Sequence, residues 1–107
     1  PVAWRERDPA LHAMALRGPR LTCVWLSDPA ASWWNVVVEG RAPARIANAA
    51  FAVPDLPEGR YRIEWWDTGA GKPIRAETRM LAKGERVQVP PFRRDIACKL
   101  AREPEAR

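Results

Sequence analysis

The clearest strand pattern in the chain is Tyr61-Arg62-Ile63-Glu64-Trp65-Trp66-Asp67, because its polarity alternates with a period of two. Successive side chains of an extended chain point to opposite faces of a sheet. Tyr61, Ile63 and Trp65 therefore share one face, which is apolar and is predicted to lie in the core. The other face carries two charged side chains and Trp66, so Trp66 is predicted to be partly exposed near the end of the strand.

The segment before this strand, Leu56-Pro57-Glu58-Gly59-Arg60-Tyr61, has the residues of a tight corner. Pro57 presets φ for a turn, and Gly59 can adopt a positive φ. The hydroxyl of Tyr61 can then bond back to the upstream backbone, as in the tyrosine corners of Greek-key β-sandwiches. The corner and the strand together predict such a sandwich.

Short β-like runs recur along the rest of the chain, and Pro, Gly, Asp or Asn separates them. They are residues 11–17, 21–27, 35–39, 49–53, 74–81, 86–89 and 96–100. Residues 42–52 are rich in Ala but lack a sustained 3.6-residue apolar stripe, so they are predicted to be a loop that leads into a strand. The pattern predicts an all-β fold, a two-sheet antiparallel β-sandwich of seven to eight strands. Its core is predicted to contain Trp25, Tyr61, Ile63 and Trp65.

The chain has the length of one domain, with 107 residues and a mass of 12.1 kDa. A TIM barrel, which typically needs about 250 residues, is excluded. Residues 11–100 are predicted to form the β-sandwich. Residues 1–10 are predicted to be a linker or an N-terminal extension, which Trp4 could anchor, and residues 101–107 a charged tail. Because the chain begins at Pro1 without an initiator Met, it is expected to be a fragment or a processed product.

The net charge of +5 arises from 18 Lys and Arg against 13 Asp and Glu. These cations are spread along the chain, and the longest basic run is the pair Arg93-Arg94, whereas a nucleic-acid site concentrates its cations on one face. Nucleic acid is therefore not an expected partner. No run approaches the roughly 18 apolar residues of a membrane span, so no membrane partner is expected either.

The side chains that could bind a metal are few. Cys23 and Cys98 form no CxxC pair, and His12 is the only histidine, so a zinc site lacks ligands and no cofactor is expected. Both cysteines lie in apolar, strand-like runs, which favours free core thiols. A disulfide between the first and last parts of the domain is the alternative. It stays open because sequence does not show whether the two Cα atoms come within about 7 Å.

Catalysis by this chain alone is not expected. A nucleophilic mechanism needs a positioned base beside a nucleophile, and His12 is accompanied by no GxSxG motif, while Ser27 and Ser32 are the only serines. Paired carboxylates for glycoside cleavage need a cleft of the right width, which a small sandwich rarely forms. The chain is therefore predicted not to be an enzyme, with no catalytic residues.

Several motifs together resemble the C-terminal β-sandwich accessory domain of bacterial glycoside hydrolases, which follows a (β/α)8 catalytic barrel. The resemblance spans roughly residues 11–100. It rests on Val24-Trp25-Leu26, on Trp65-Trp66-Asp67-Thr68 with Gly71 after the Tyr61 corner, and on Pro90-Pro91-Phe92-Arg93-Arg94-Asp95-Ile96-Ala97. It implies a fibronectin-III-like or immunoglobulin-like sandwich without catalytic acids, since those lie in the barrel. Gly69 and Ala70 stand where the family often carries an aromatic residue, so any role of that aromatic is lost here.

The candidate functional residues are Trp33, Trp34, Trp66 and Asp67. Trp33 and Trp34 adjoin in a loop entering a strand, and flat indole rings beside polar groups suit either the C–H faces of sugars or contact with a neighbouring domain. The resemblance implies a non-catalytic accessory domain that packs on and stabilises the parent catalytic domain. A carbohydrate-binding module, with a polysaccharide partner, is the first alternative, and a fibronectin-III-type protein-interaction module is the second.

Overall fold

The computed structural model describes residues 2–7, 10–29, 40 and 45–103, and every regular element in these residues is a β-strand. In chain order the strands are β1 (Val2–Arg7), β2 (Ala10–Arg17), β3 (Leu21–Ser27), β4 (Arg45–Ile46), β5 (Ala50–Phe51), β6 (Gly59–Asp67), β7 (Lys72–Leu81), β8 (Val87–Gln88), β9 (Phe92–Arg93) and β10 (Asp95–Arg102). The prediction of an all-β fold is confirmed. Within the described ranges no helix is long and apolar enough to cross a membrane. The predicted strand at 35–39 lies outside the described residues.

The six long strands form one antiparallel sheet in the order β1-β2-β3-β10-β6-β7. The last strand, β10, lies between β3 and β6, so the last strand in sequence is a central strand of the sheet. The four two-residue strands pair separately, β4 with β9 and β5 with β8.

The two faces of the main sheet differ in environment. One face, called here the inner face, is buried, and the cross-strand row of Val24, Cys98 and Trp65 marks it. These residues share one hydrophobic cluster with side chains from 49–56 and 87–92, in and beside the short strands β5, β8 and β9. Tyr61 and Ile63 belong to the same cluster, so the core assignment of Tyr61, Ile63 and Trp65 is confirmed.

The core assignment of Trp25 is wrong. Its side chain lies on the opposite face, called here the outer face, and is 39% exposed. The reason is that Val24 pairs with the buried Cys98, which turns Val24 inward and Trp25 outward. The alternation of β3 did not reveal this, because its outward residues Leu21, Cys23 and Trp25 are no more polar than its inward ones.

The predicted corner before β6 is present. The Tyr61 hydroxyl donates a hydrogen bond of 2.7 Å to the Pro57 carbonyl. Gly59 has a φ of 157°, and a Cβ at this position would lie 3.0 Å from Nε of Arg102. The Arg102 guanidinium also donates to the Glu58 carbonyl over 3.1 Å, so the corner is tied to β10 as well.

Replacing Tyr61 by phenylalanine should lower the free energy of unfolding by about 1 kcal/mol, because the Pro57 carbonyl loses its donor while the ring stays packed. Urea denaturation followed by tryptophan fluorescence measures the change. A Y61F protein with the stability of the wild type would show that the hydroxyl contributes nothing to the corner.

Residues 1–10 were expected to form a linker or an extension, and Val2–Arg7 of this stretch is the edge strand β1. It pairs with β2 along its whole length. Trp4 packs against the core cluster, as its predicted anchoring role requires, and its indole donates to Glu6 over 2.8 Å. Glu6 accepts the backbone N–H of Ala52 over 3.3 Å and pairs with Arg86 at 3.7 Å, so β1 is fastened to the residues that cover the inner face.

The two cysteines are free, and they lie on opposite faces of the sheet. Cys98 of β10 pairs with Val24 of β3, whereas Cys23 of β3 pairs with Lys99 of β10. Side chains of opposite parity in adjacent strands point away from each other, which excludes the disulfide alternative. Burial raises the pKa of the Cys98 thiol far above its ordinary value, and the nearby Cys23 and Glu77 raise it further.

Candidate functional site

A row of uncharged side chains crosses the outer face from one edge of the described sheet to the other. The strand registers place one residue of each strand in this row, and its members are Ala3, Met14, Trp25, Ala97, Trp66 and Pro73. Adjacent strands lie 4.7–4.9 Å apart, so Trp25 and Trp66, on either side of Ala97, are about 10 Å apart in the backbone. The outer face therefore carries two tryptophans on one line.

The outer faces of β2 and β3 form a continuous apolar surface, called here the outer patch. It consists of Met14, Leu16, Leu21, Cys23 and Trp25, which the pairings of Met14 with Trp25 and of Leu16 with Cys23 hold together. Met14 and Leu16 are about half exposed, at 51% and 48%. Large contiguous apolar patches are uncommon on soluble monomers and often mark interaction sites, so the outer patch is a candidate interface. The patch offers few hydrogen-bonding groups, namely the indole N–H of Trp25 and the weakly polar thiol of Cys23.

The other outward residues of β6 are charged, and Trp66 is in contact with charged side chains. Nζ of Lys99 lies 4.6 Å from the centroid of its ring, a cation–π contact. The indole N–H donates to Glu64, which also pairs with Arg62 at 3.7 Å. Trp66 is half-buried, as predicted, and Lys99 already occupies one face of its ring.

The carboxylate of Asp67 stabilises the turn between β6 and β7. Its Oδ1 accepts the backbone N–H groups of Gly69 at 2.9 Å and Ala70 at 3.0 Å, which is the Asx-turn role of such residues. The candidate residue Asp67 thus has a structural role in this turn, and its part in sugar binding or in a domain interface stays a prediction.

Two of the motif stretches that carry the family resemblance meet beside this turn. The hydroxyl of Thr68 donates to Oδ1 of Asp95, the first residue of β10. An open cleft of about 350 Å³ lies here, lined by residues 67–69 and 93–95. Arg94 in this cleft has a positive φ of 67°, and its carbonyl accepts the N–H of Asp28 over 2.8 Å. These contacts tie the ends of β3, β6 and β10 together, so the shared motif residues have a structural role.

A serine, a histidine and an aspartate do come together on the outer face, in the cross-strand row His12, Ser27, Asp95. A catalytic triad needs the imidazole between the hydroxyl and the carboxylate. Here Ser27 lies in the middle, and Asp95 is bonded to Thr68. Among the described residues there is also no cluster of His, Cys, Asp and Glu that could hold a metal ion.

Trp33 and Trp34 lie outside the described residues, so their part in a site stays a prediction. Trp25, Met14 and Leu16 are the surface residues that sequence reasoning missed. The available signal was that β2 and β3 are apolar in both parities, a pattern expected when both faces of a strand are covered.

No protein-family model matches this chain, and no curated protein or solved structure matches it either. Support for a function therefore comes from the outer face and from the sequence motifs.

Proposed function

We propose that the chain is a non-catalytic accessory domain that packs, through its outer patch, on a catalytic domain of the same polypeptide and stabilises it. The observation that carries this proposal is the exposure of Met14, Leu16, Leu21 and Trp25 on one continuous sheet face. A solvated sheet face normally shows polar side chains opposite its core face. An apolar outer face is suited to being covered by another protein surface.

The identity of the neighbouring domain is proposed from the motif resemblance, which points to a bacterial glycoside hydrolase. The same resemblance suggests that the main sheet and the short strands over its inner face are variants of a fibronectin-III-like or immunoglobulin-like sandwich. The bond from Tyr61 to the Pro57 carbonyl supports this, since a tyrosine corner is a feature of such sandwiches.

The chemistry of the patch favours a protein partner over a sugar. A sugar site combines flat rings with groups that hydrogen-bond its hydroxyls. Within the patch, the nearest residues to Trp25 are Met14, directly across on β2, and Cys23, the next outward residue on β3. Trp66, which does have polar neighbours, is covered on one side by Lys99.

Cys23 provides a native reporter for covering of the patch, and the buried Cys98 provides an internal control. The 107-residue chain is compared with the polypeptide that the complete reading frame encodes. Iodoacetamide should alkylate Cys23 at least about tenfold more slowly in the longer polypeptide. A central aromatic contact of an interface typically contributes about 2 kcal/mol or more, and about 1.4 kcal/mol is a factor of ten. Replacing Trp25 by serine should restore the rate in the longer polypeptide to that of the isolated variant.

The matched control is M80S, since Met80 is an exposed apolar residue on β7, outside the patch. This variant should leave the protection of Cys23 intact. Equal reactivity of Cys23 in both wild-type proteins, or a reading frame that encodes only these residues, would contradict the proposal. Circular dichroism of each variant excludes unfolding as the cause of exposure.

Carbohydrate binding is a second candidate, and the alignment of Trp25 and Trp66 across Ala97 favours it. The backbone spacing of about 10 Å is comparable to the length of a disaccharide unit along a polysaccharide. Retention of the folded chain on insoluble polysaccharide, lost in both W25A and W66A, would support this function over docking. A chain that is not retained would count against it.

A further inference from the structure

The outer face is strongly asymmetric in charge. Five cations project from the six strands on this face, namely Arg5, Arg7, Arg60, Arg62 and Lys99, against the two carboxylates of Glu64 and Asp95. Arg62 pairs with Glu64 at 3.7 Å, and Arg60 pairs with Glu103 at 3.5 Å.

Three cations therefore have no carboxylate partner within the described part of the chain, and they are Arg5, Arg7 and Lys99. Within residues 2–7, 10–29, 40 and 45–103, the ammonium of Lys99 contacts the ring of Trp66, and Lys99 lies directly across from Cys23 of the outer patch. Ala3 of β1 ends the row that contains Met14 and Trp25. Arg5 is the next outward residue after Ala3 on the same strand. Cations without partners thus lie on two sides of the patch.

We propose that the surface which covers the outer patch is apolar at its centre and carries carboxylates opposite Lys99 and Arg5. This inference rests on the proposed docking function and specifies the partner of that same surface. Covering an ammonium without a counter-charge removes its hydration with no compensation, whereas a carboxylate offsets that loss. A second copy of this chain does not fit, because it would bring cations against cations.

The test uses K99E in the longer polypeptide, with K83E as the matched control, since Lys83 is exposed in the turn after β7. Each rate of Cys23 alkylation is divided by the rate in the isolated chain that carries the same substitution. This ratio cancels the direct effect of residue 99 on the thiol across the strand. K99E should raise the ratio by about tenfold or more, because it sets like charges against each other. K83E should leave it unchanged, and wild-type protection should weaken at 1 M NaCl, where the Debye length is about 3 Å.

The outcomes separate this inference from the docking function. If W25S exposes Cys23 while K99E and salt do not, the docking function holds and the acidic partner surface is wrong. If K99E and K83E raise the ratio of Cys23 alkylation rates equally, the effect comes from net charge, and the acidic partner surface is also wrong. Protection of Cys23 that grows with the concentration of the isolated chain would show that the occupant is a second copy. Equal reactivity in both wild-type proteins would overturn docking and this inference together.

Discussion

Replacing Trp65 by alanine should lower the free energy of unfolding by about 3–5 kcal/mol, the usual cost of truncating a buried aromatic side chain. Trp65 is fully buried, and its ring meets that of Phe51 edge-on, with centroids 6.0 Å apart and planes at 89°. It also lies beside Cys98 in the central strand β10. For a domain of this size, whose total stability is about 5–15 kcal/mol, this loss is a large fraction of the total, so the variant should unfold at a clearly lower denaturant concentration.

The matched control is W25A, the same change on the outer face of the same sheet. It should cost clearly less than W65A, because the side chain of Trp25 is already 39% exposed in the folded chain, whereas that of Trp65 is fully buried. The indole N–H of Trp65 has no hydrogen-bond partner among the described residues, so W65A breaks no hydrogen bond with them, and removal of this unsatisfied donor offsets part of the packing loss. Guanidinium denaturation of both variants checks the pair, and equal loss in both would show that the assignment of the two faces is wrong.

Cys23 should react with iodoacetamide at least about 100-fold faster than Cys98 in the isolated chain at pH 8, since only the thiolate attacks. The raised pKa of Cys98 lowers its thiolate fraction at this pH, and burial blocks access as well. Cys23 is half-exposed on the outer face, between Leu16 and Lys99.

Peptide mapping by mass spectrometry gives the two rates separately, and C23S and C98S assign them. In 6 M urea the two thiols should become equally reactive, which confirms that the fold causes the difference. Similar rates in the native chain would contradict the burial of Cys98 and would remove its use as an internal control.

The orientation of β6 was predictable because two charges mark its outward face. Arg62 and Glu64 alternate with Tyr61, Ile63 and Trp65, and burying either charge would cost more than exposing Trp66. The corner was predictable for a similar reason, since Pro57 and Gly59 act on the backbone locally and Tyr61 reaches only four residues back. Both features depend on interactions that are short in sequence.

The edge strand β1 was harder to recognise because one of its inward residues is charged. Val2, Trp4 and Glu6 face inward in register with β2. Glu6 is tolerated there because Arg86, the indole of Trp4 and the N–H of Ala52 all contact its carboxylate. Arg86 and Ala52 come from distant segments, so the sequence alone predicted a linker or an N-terminal extension.

The β class, the bounds of β3, the parity of β6 and the corner before it could be predicted from the sequence, because each depends on neighbours within a few residues. Which face of β3 is buried could not be predicted in this way. Leu21, Cys23 and Trp25 are as apolar as Thr22, Val24 and Leu26, so the hydrophobic effect alone does not choose between the two faces. The choice is made by the hydrogen-bonded register with β10, which directs Val24 toward Cys98 and leaves Trp25 on the outer face.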